Sequence, residues 1–89
     1  MAIHLVVHGI VQGVGYREFM CREAERLGIT GWVRNRRDGT VEAVISGDEA
    51  ALGKMLDWVR HGPPAAQVGR VDTDDIEGDF SGFERLPTA

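Results

Sequence analysis

Residues 9–17 of the chain read GIVQGVGYR, and this stretch joins a segment with strand character to a segment with helix character. Gly13 and Gly15 can adopt positive φ and let the main chain approach a ligand closely. The first N–H groups of a helix have no partners within it and carry about half a positive charge. With Arg17 at the helix start, the stretch favours a site for a small anion, most often phosphate. An ordinary strand-to-helix turn beside an exposed arginine explains the same residues equally well.

The spacing excludes two better-known phosphate motifs. Glu18 stands where the dinucleotide fingerprint G-x-G-x-x-G has its third glycine. A P-loop would require Gly-Lys-Ser or Gly-Lys-Thr after the glycines, and neither follows. The function of the stretch therefore has to be argued from the rest of the chain.

The hydrophobic periodicity on both sides predicts the order β-α-β-β-α-β with a short final strand. The elements are strands at residues 3–8, 29–36, 40–46, 67–73 and 82–86, and helices at residues 15–27 and from the cap Asp48 to about residue 61. Two crossovers around a hairpin predict the ferredoxin-like split β-α-β fold. This is an α+β two-layer sandwich, with two helices on one face of an antiparallel sheet. The fold alone does not decide the function.

The same periodicity predicts the core. On the strands the inner residues are Ile3, Leu5, Val7, Val41, Ala43 and Ile45, with Val44 facing away. On the helices the apolar stripes are Tyr16, Phe19, Met20, Ala24 and Leu27, and Leu52, Met55, Leu56 and Val59.

Length and composition predict one domain covering residues 1–89. The net charge of −4 divides into +3 over residues 1–37 and −7 over residues 38–89, which argues against a nucleic-acid partner. A single cysteine, Cys21, fits a reducing compartment. No apolar run is long enough to span a membrane, and the start of the chain does not resemble a signal peptide. We therefore expect a cytoplasmic monomer without a membrane partner.

No metal site or cofactor is predicted. His4 and His8 share a strand face but lie about 13 Å apart at the usual strand rise, too far to bind one metal. The acidic residues at 72–79 fit a solvated sheet edge better than a metal site. No Ser-His-Asp or Cys-His arrangement is apparent either. A site of arginine, asparagine and backbone N–H groups suits a substrate that is already activated. A carboxyl-phosphate anhydride is such a substrate, because its leaving carboxylate has a pKa of roughly 4.

Asn35, near the end of the second strand, is a candidate to face the glycine loop, since the first strand and the hairpin strands are expected to be neighbours. Its amide could hold a water in line with phosphorus. With the hairpin turn at residues 36–39, Thr40 would lie opposite Asn35 and could fix its amide. The alternative is that Asn35 is only a turn residue.

At these residues the sequence resembles the acylphosphatase family. The resemblance is carried by VQGVGYR at residues 11–17, GWVRN at 31–35 and DGTVE at 38–42, with further likeness at 62–68 and 82–83. Tyr16 stands where the family more often has Phe, a difference expected to matter little. The tail at residues 84–89 departs from the usual ending, which leaves the register of the last strand open.

The resemblance implies an enzyme that hydrolyses acyl phosphates to a carboxylate and phosphate without a cofactor. It implies that Arg17 binds the phosphate, that Asn35 orients the attacking water and that Thr40 supports Asn35. The substrate-binding residues would be Gln12, Gly13, Val14, Gly15, Tyr16 and Arg17. The alternative is a non-catalytic small-anion or regulatory binding module on the same fold.

Overall fold

The structure, a computed structural model, describes residues 1–89. Its elements in chain order are β1 (Ala2–Ile10), α1 (Tyr16–Leu27), β2 (Thr30–Asn35), β3 (Val41–Ser46), α2 (Glu49–His61), β4 (Gln67–Ile76) and β5 (Phe83–Arg85). The predicted element order is confirmed. The largest difference in bounds is at β4, which continues through Ile76 into the acidic stretch. No helix is both long enough and apolar enough to cross a membrane.

The five strands form one sheet in the order β4-β1-β3-β2-β5. All neighbours are antiparallel except β5, which runs parallel to β2 with Phe83 opposite Gly31. The sheet is therefore antiparallel, as predicted, except for this one parallel pair at its edge. The reason is topological: β4 ends at the end of the sheet where β2 begins. Residues 77–82 cross that end, so the chain enters β5 in the direction of β2.

Both helices cover one face of the sheet, and the core lies between the two layers, as predicted. Val44 lies on the opposite face but is only 2% exposed, because it packs between neighbouring strands opposite His4 and Trp32. Phe19 was predicted to be in the core and is instead 41% exposed. Its ring lies against Gly15 and under the Arg22 guanidinium, at the start of α1.

Both helices end at a glycine with positive φ, but they begin differently. Gly28 ends α1 in the left-handed conformation, and Gly62 ends α2 by donating its N–H to Trp58 O at 2.7 Å. At the start of α2, the Asp48 carboxylate accepts the Ala51 N–H at 2.8 Å, as an N-cap does. At the start of α1, Gly15 has φ +79° and no side chain caps the helix.

Candidate active site

The structure has one cleft, of about 120 Å³, at the start of α1. This is far above the ~10–15 Å³ that one water needs. It is bounded by the glycine loop, the first turn of α1, the end of β2 and β5. The residues that line it are Val11, Gly13, Gly15, Tyr16, Arg17, Glu18, Asn35 and Arg85. The cleft therefore brings together the glycine loop, Arg17 and Asn35.

The loop presents its main chain to the cleft. Gly13 and Gly15 have φ of +74° and +79°, the left-handed region that glycine enters without a steric penalty. The N–H groups of residues 12–15 donate to no carbonyl or side chain of the protein. Because α1 also lacks a side-chain cap, unpaired donors and the positive end of the helix dipole meet at one place.

Arg17 contributes a cation with no internal partner. Its side chain makes no ion pair and no hydrogen bond. Five other arginines are paired with carboxylates: Arg22, Arg26, Arg34, Arg36 and Arg70. Glu18 is the only acidic residue that lines the cleft, and its carboxylate is bound by Arg22 at 2.8 Å. The charge available to a ligand in the cleft is therefore positive.

Asn35 lines the same cleft and has an unpaired acceptor in its side chain. Its Oδ1 atom is buried and has no hydrogen-bond partner, and it is the only buried side-chain polar atom in this condition. Such an orphan costs about 1–3 kcal/mol when nothing binds it. The backbone of Asn35 is held in place, since its carbonyl accepts the Ala89 N–H at 3.0 Å. A buried orphan on a fixed backbone at a cleft indicates an acceptor reserved for a ligand or a water.

Thr40 does not contact Asn35 in the way predicted. The hairpin closes with Arg36 N–H donating to Thr40 O, so Asn35 pairs with Val41 and the register is shifted by one residue. The Thr40 hydroxyl donates to Asp38 Oδ1 at 2.6 Å, and its N–H donates to the same oxygen at 3.0 Å. These two bonds hold the pKa of Asp38 below its usual value. Thr40 therefore fixes the hairpin turn that follows Asn35.

Gln12 joins the loop to the hairpin. Its side-chain amide donates to Arg36 O at 2.7 Å and to Thr40 O at 2.9 Å. The side chain is therefore engaged away from the cleft, and only its backbone N–H remains free for a ligand. This tie fixes the distance between the loop and the strand that carries Asn35.

The side chains of Tyr16 and Val14 pack into the core of the protein, whereas the Arg17 side chain does not. The Tyr16 side chain is 2% exposed, and its hydroxyl donates to Val59 O of α2 at 2.7 Å. Burial raises the pKa of this hydroxyl. Helix geometry would pair the Val59 carbonyl with the N–H of residue 63, but Pro63 has none. The hydroxyl therefore has a structural partner that the resemblance did not predict. Val14 packs against the core, which leaves its backbone for the loop.

Comparison with known proteins identifies the family of this chain. The model of the acylphosphatase family matches residues 3–85. The chain belongs to the acylphosphatase family. It is 55% identical over 83 residues to the acylphosphatase of Thiobacillus denitrificans, covering 93% of each chain. An acylphosphatase is a hydrolase of acyl phosphates, so the predicted activity is confirmed and the binding-module alternative is not favoured.

Solved acylphosphatases share the fold. The structure is similar to an acylphosphatase from Coxiella burnetii with a TM-score of 0.91 and 40% identity, covering 96% of this chain and 90% of that one. It is similar to the acylphosphatase from Bacillus subtilis with a TM-score of 0.89 and 35% identity, covering 96% and 97%. The predicted ferredoxin-like sandwich is thus confirmed.

The acylphosphatase cleft also contains a residue that sequence reasoning missed, Arg85. Its place depends on the register of β5, where Arg85 lies opposite Val33. No local pattern gives that register, because β5 is three residues long and pairs across a large sequence separation. The apolar periodicity around Phe83 was the only available signal.

No group of three or more His, Cys, Asp or Glu side chains lies close enough to hold a metal ion in this acylphosphatase. The two strand histidines are instead engaged singly, His4 with Glu42 at 2.7 Å and His8 with Asp72 at 2.9 Å. Both pairs stand on the face of the sheet opposite the helices. The groups that can act in the cleft are therefore N–H donors, guanidinium groups and one amide.

Proposed function

We propose that this acylphosphatase acts by attack of water on phosphorus, in line with the departing carboxylate. Arg17 and the free N–H groups of residues 12–15 hold the phosphoryl group. Asn35 holds the attacking water. The orphaned Oδ1 of Asn35, a residue that lines the same cleft as Arg17 and the glycine loop, is the observation that supports this proposal most strongly.

The hydrogen-bond donors of the cleft suit the binding of a phosphoryl group. Its oxygens accept hydrogen bonds from backbone N–H groups at a helix N-terminus, where the dipole also favours negative charge. Arg17 adds a planar fork of donors that can bind two oxygens at once. Because none of these groups has an internal partner, the protein breaks no hydrogen bond of its own when the substrate enters.

Asn35 suits the binding of the nucleophile, which is a water molecule. Its Oδ1 atom accepts an O–H bond from water, which turns a lone pair of that water away from the amide. If the phosphoryl group sits on the loop, this lone pair faces phosphorus. The backbone bond from Ala89 and the tie from Gln12 keep Asn35 at a fixed distance from the loop. Catalysis then comes from positioning and fixed charges.

The leaving group needs no acid. The water oxygen forms a bond to phosphorus while the bond from phosphorus to the acyl oxygen breaks, and the carboxylate departs with that electron pair. A carboxylate with a pKa of roughly 4 leaves as the anion at neutral pH. The proton of the attacking water passes to a phosphate oxygen or to solvent. No base is required beside the loop.

The test is hydrolysis of benzoyl phosphate in water enriched in oxygen-18. We expect the label in phosphate and none in benzoate, because attack is at phosphorus. Asn35→Ala should lower kcat by about 100-fold or more, the scale of losing one oriented polar group at the reacting centre. Inhibition by inorganic phosphate should persist, since the donors for phosphate remain.

Three results would contradict the proposal. Label in benzoate would place the attack at the carbonyl carbon. Full turnover by a folded Asn35→Ala variant would remove the assigned role of Asn35. Phosphate binding without any hydrolysis of acyl phosphates by the wild type would favour a binding module.

We further propose that the enzyme works as a cytoplasmic monomer. All residues assigned to the cleft come from one chain, and the single cysteine, Cys21, has no partner for a disulfide. Size-exclusion chromatography with light scattering should give the mass of one chain, 9.8 kDa. A stable dimer mass would contradict the proposed monomer.

A further inference from the structure

Arg85 lines the cleft from β5, on a different element from Arg17 and the glycine loop. It lies on β5 in register with Val33, whose side chain is fully buried on the helix side of the sheet. Paired residues of neighbouring strands point to the same face, so the Arg85 side chain starts on the helix side as well. Asn35 is two residues beyond Val33, about 6.6 Å further along β2 at the usual strand rise. An arginine side chain spans that distance.

The Arg85 guanidinium has no partner within the protein. It makes no ion pair with any carboxylate and no hydrogen bond. Glu18, the one acidic residue in the lining, is already bound by Arg22. The cleft is thus lined by two arginines with unpaired guanidinium groups, Arg17 from α1 and Arg85 from β5.

Cys21 of α1 lies within electrostatic range of both of these charges. Burial raises the pKa of the Cys21 thiol, and the positive charges of Arg85 and Arg17 both oppose that rise. Both guanidinium groups therefore act on one sulfur atom of α1.

The charge balance of the proposed site leaves room for a second cation. A phosphoryl group carries about −1.5 to −2 charges at neutral pH. Arg17 supplies one positive charge and the helix N-terminus about half of one. In the transition state of phosphoryl transfer, negative charge spreads over the three equatorial oxygens, so donors on two sides of the group are favourable.

We propose that Arg85 is a second phosphate-binding and catalytic residue, which contacts the phosphoryl group from the β5 side while Arg17 and the loop bind it from the helix side. This inference rests on the proposed function of the cleft. It assigns Arg85 to the phosphoryl group and not to the acyl group of the substrate.

The experiment measures the inhibition constant of inorganic phosphate and kcat/KM for acetyl phosphate and benzoyl phosphate. Arg85→Gln should raise the inhibition constant roughly three- to tenfold, because a charged contact at the edge of a cleft is partly screened by solvent. It should lower kcat/KM for both substrates by a similar factor. Arg85→Lys should be intermediate, since it keeps the charge and loses the fork. The expected losses should shrink as ionic strength rises.

The matched control is Lys54→Gln, which removes one exposed positive charge of α2 that does not line the cleft. It should leave all three constants unchanged. Equal thermal unfolding midpoints for wild type and variants would exclude a folding defect, and the Arg85 side chain makes no hydrogen bond whose loss would cause one.

An unchanged inhibition constant for phosphate in a folded Arg85→Gln variant would overturn the inference, even if the KM of one substrate rose, because that pattern indicates contact with the acyl group. The proposed function would still stand if Arg17→Ala lost phosphate binding in the same assay. By contrast, absence of hydrolysis by the wild type would refute the proposed function itself, whatever Arg85 does.

Discussion

The two helix N-termini of this protein are built in opposite ways. At α2, Asp48 caps the helix by accepting the Ala51 N–H, so a side chain of the protein supplies the cap. At α1, Gly15 offers no side chain, and the N–H groups of residues 12–15 have no partners. Because a glycine N-cap is less favourable than aspartate by only roughly a few tenths of a kcal/mol, the open end of α1 costs the fold little stability.

The residues around the two helix N-termini differ as well. Beside the open end of α1 lie an arginine without a carboxylate and a buried amide oxygen without a donor, Arg17 and Asn35. Beside α2 lies Glu49, an acidic residue that complements the helix dipole from within the chain. α1 also has an acidic residue in its first turn, Glu18, but Arg22 binds its carboxylate. The comparison supports the proposal that a ligand supplies the cap that α1 lacks.

The largest expected effect is that of Arg17→Ala. It should lower kcat/KM for benzoyl phosphate by about 100-fold or more, the scale of removing a main electrostatic contact to the transition state. Arg17→Lys should recover little, because a point charge replaces a planar fork. The control is Arg26→Ala, which removes an exposed arginine further along α1 that pairs with Glu23. Equal activity of the Arg17 and Arg26 variants would contradict the assignment of Arg17 to substrate binding.

Tyr16→Phe tests whether the start of α1 is anchored to α2. The change removes only the hydroxyl that donates to Val59 O, a carbonyl that Pro63 cannot serve. The free energy of unfolding in urea should fall by about 1–3 kcal/mol, the cost of a buried acceptor left unpaired. Activity of the folded variant should persist, because the loop backbone is unchanged. Wild-type stability would show that this bond does not contribute to the anchoring of α1.

Gln12→Ala tests whether the open loop must be tied to the hairpin. Loss of the bonds to Arg36 O and Thr40 O should lower kcat about tenfold, since small misplacements of a positioned group are costly. Inhibition by phosphate should change less than kcat. Gln67→Ala, on the exposed edge strand β4, is the matched control and should retain full activity. A Gln12→Ala variant with normal kcat would show that the tie is not needed for catalysis.

The smallest effect is expected at the capped helix. Asp48→Ala should lower the free energy of unfolding by about 1 kcal/mol, which is about 4–8 °C in the unfolding midpoint of a domain of this size. Its kcat/KM should equal that of the wild type, because the α2 N-terminus does not line the cleft. Asp48→Asn, which keeps a capping oxygen, should restore most of the stability. Loss of activity in a folded Asp48→Ala variant would contradict the separation of the two ends.

The sequence predicted most of the fold because its periodic signals are strong and local. The alternating apolar residues of β1 and β3 are buried, and the stop glycine of α1, Gly28, has left-handed φ as expected. Phe19 shared the helical period but is exposed, because α1 turns this position toward the solvent side of the loop. Hydrophobic periodicity identifies the apolar face of a helix, but it does not show how much of that face the sheet covers.

Features that depend on pairing at long range were harder to predict. The turn was expected at residues 36–39, but the bond between Arg36 and Thr40 shortens the loop by one residue and moves Asn35 opposite Val41. Arg85 reaches the cleft only through the parallel pairing of a three-residue strand. Neither register is specified by the residues of one strand alone.

The most direct test is a titration of the nitrogen-15-labelled protein with inorganic phosphate, followed by amide chemical shifts. We expect the largest shifts at the N–H groups of residues 12–17 and at the Asn35 side chain. The N–H groups of residues 48–52, at the capped start of α2, should stay in place. Shifts centred on α2, or a loop that does not respond at phosphate concentrations that inhibit hydrolysis, would contradict this expectation.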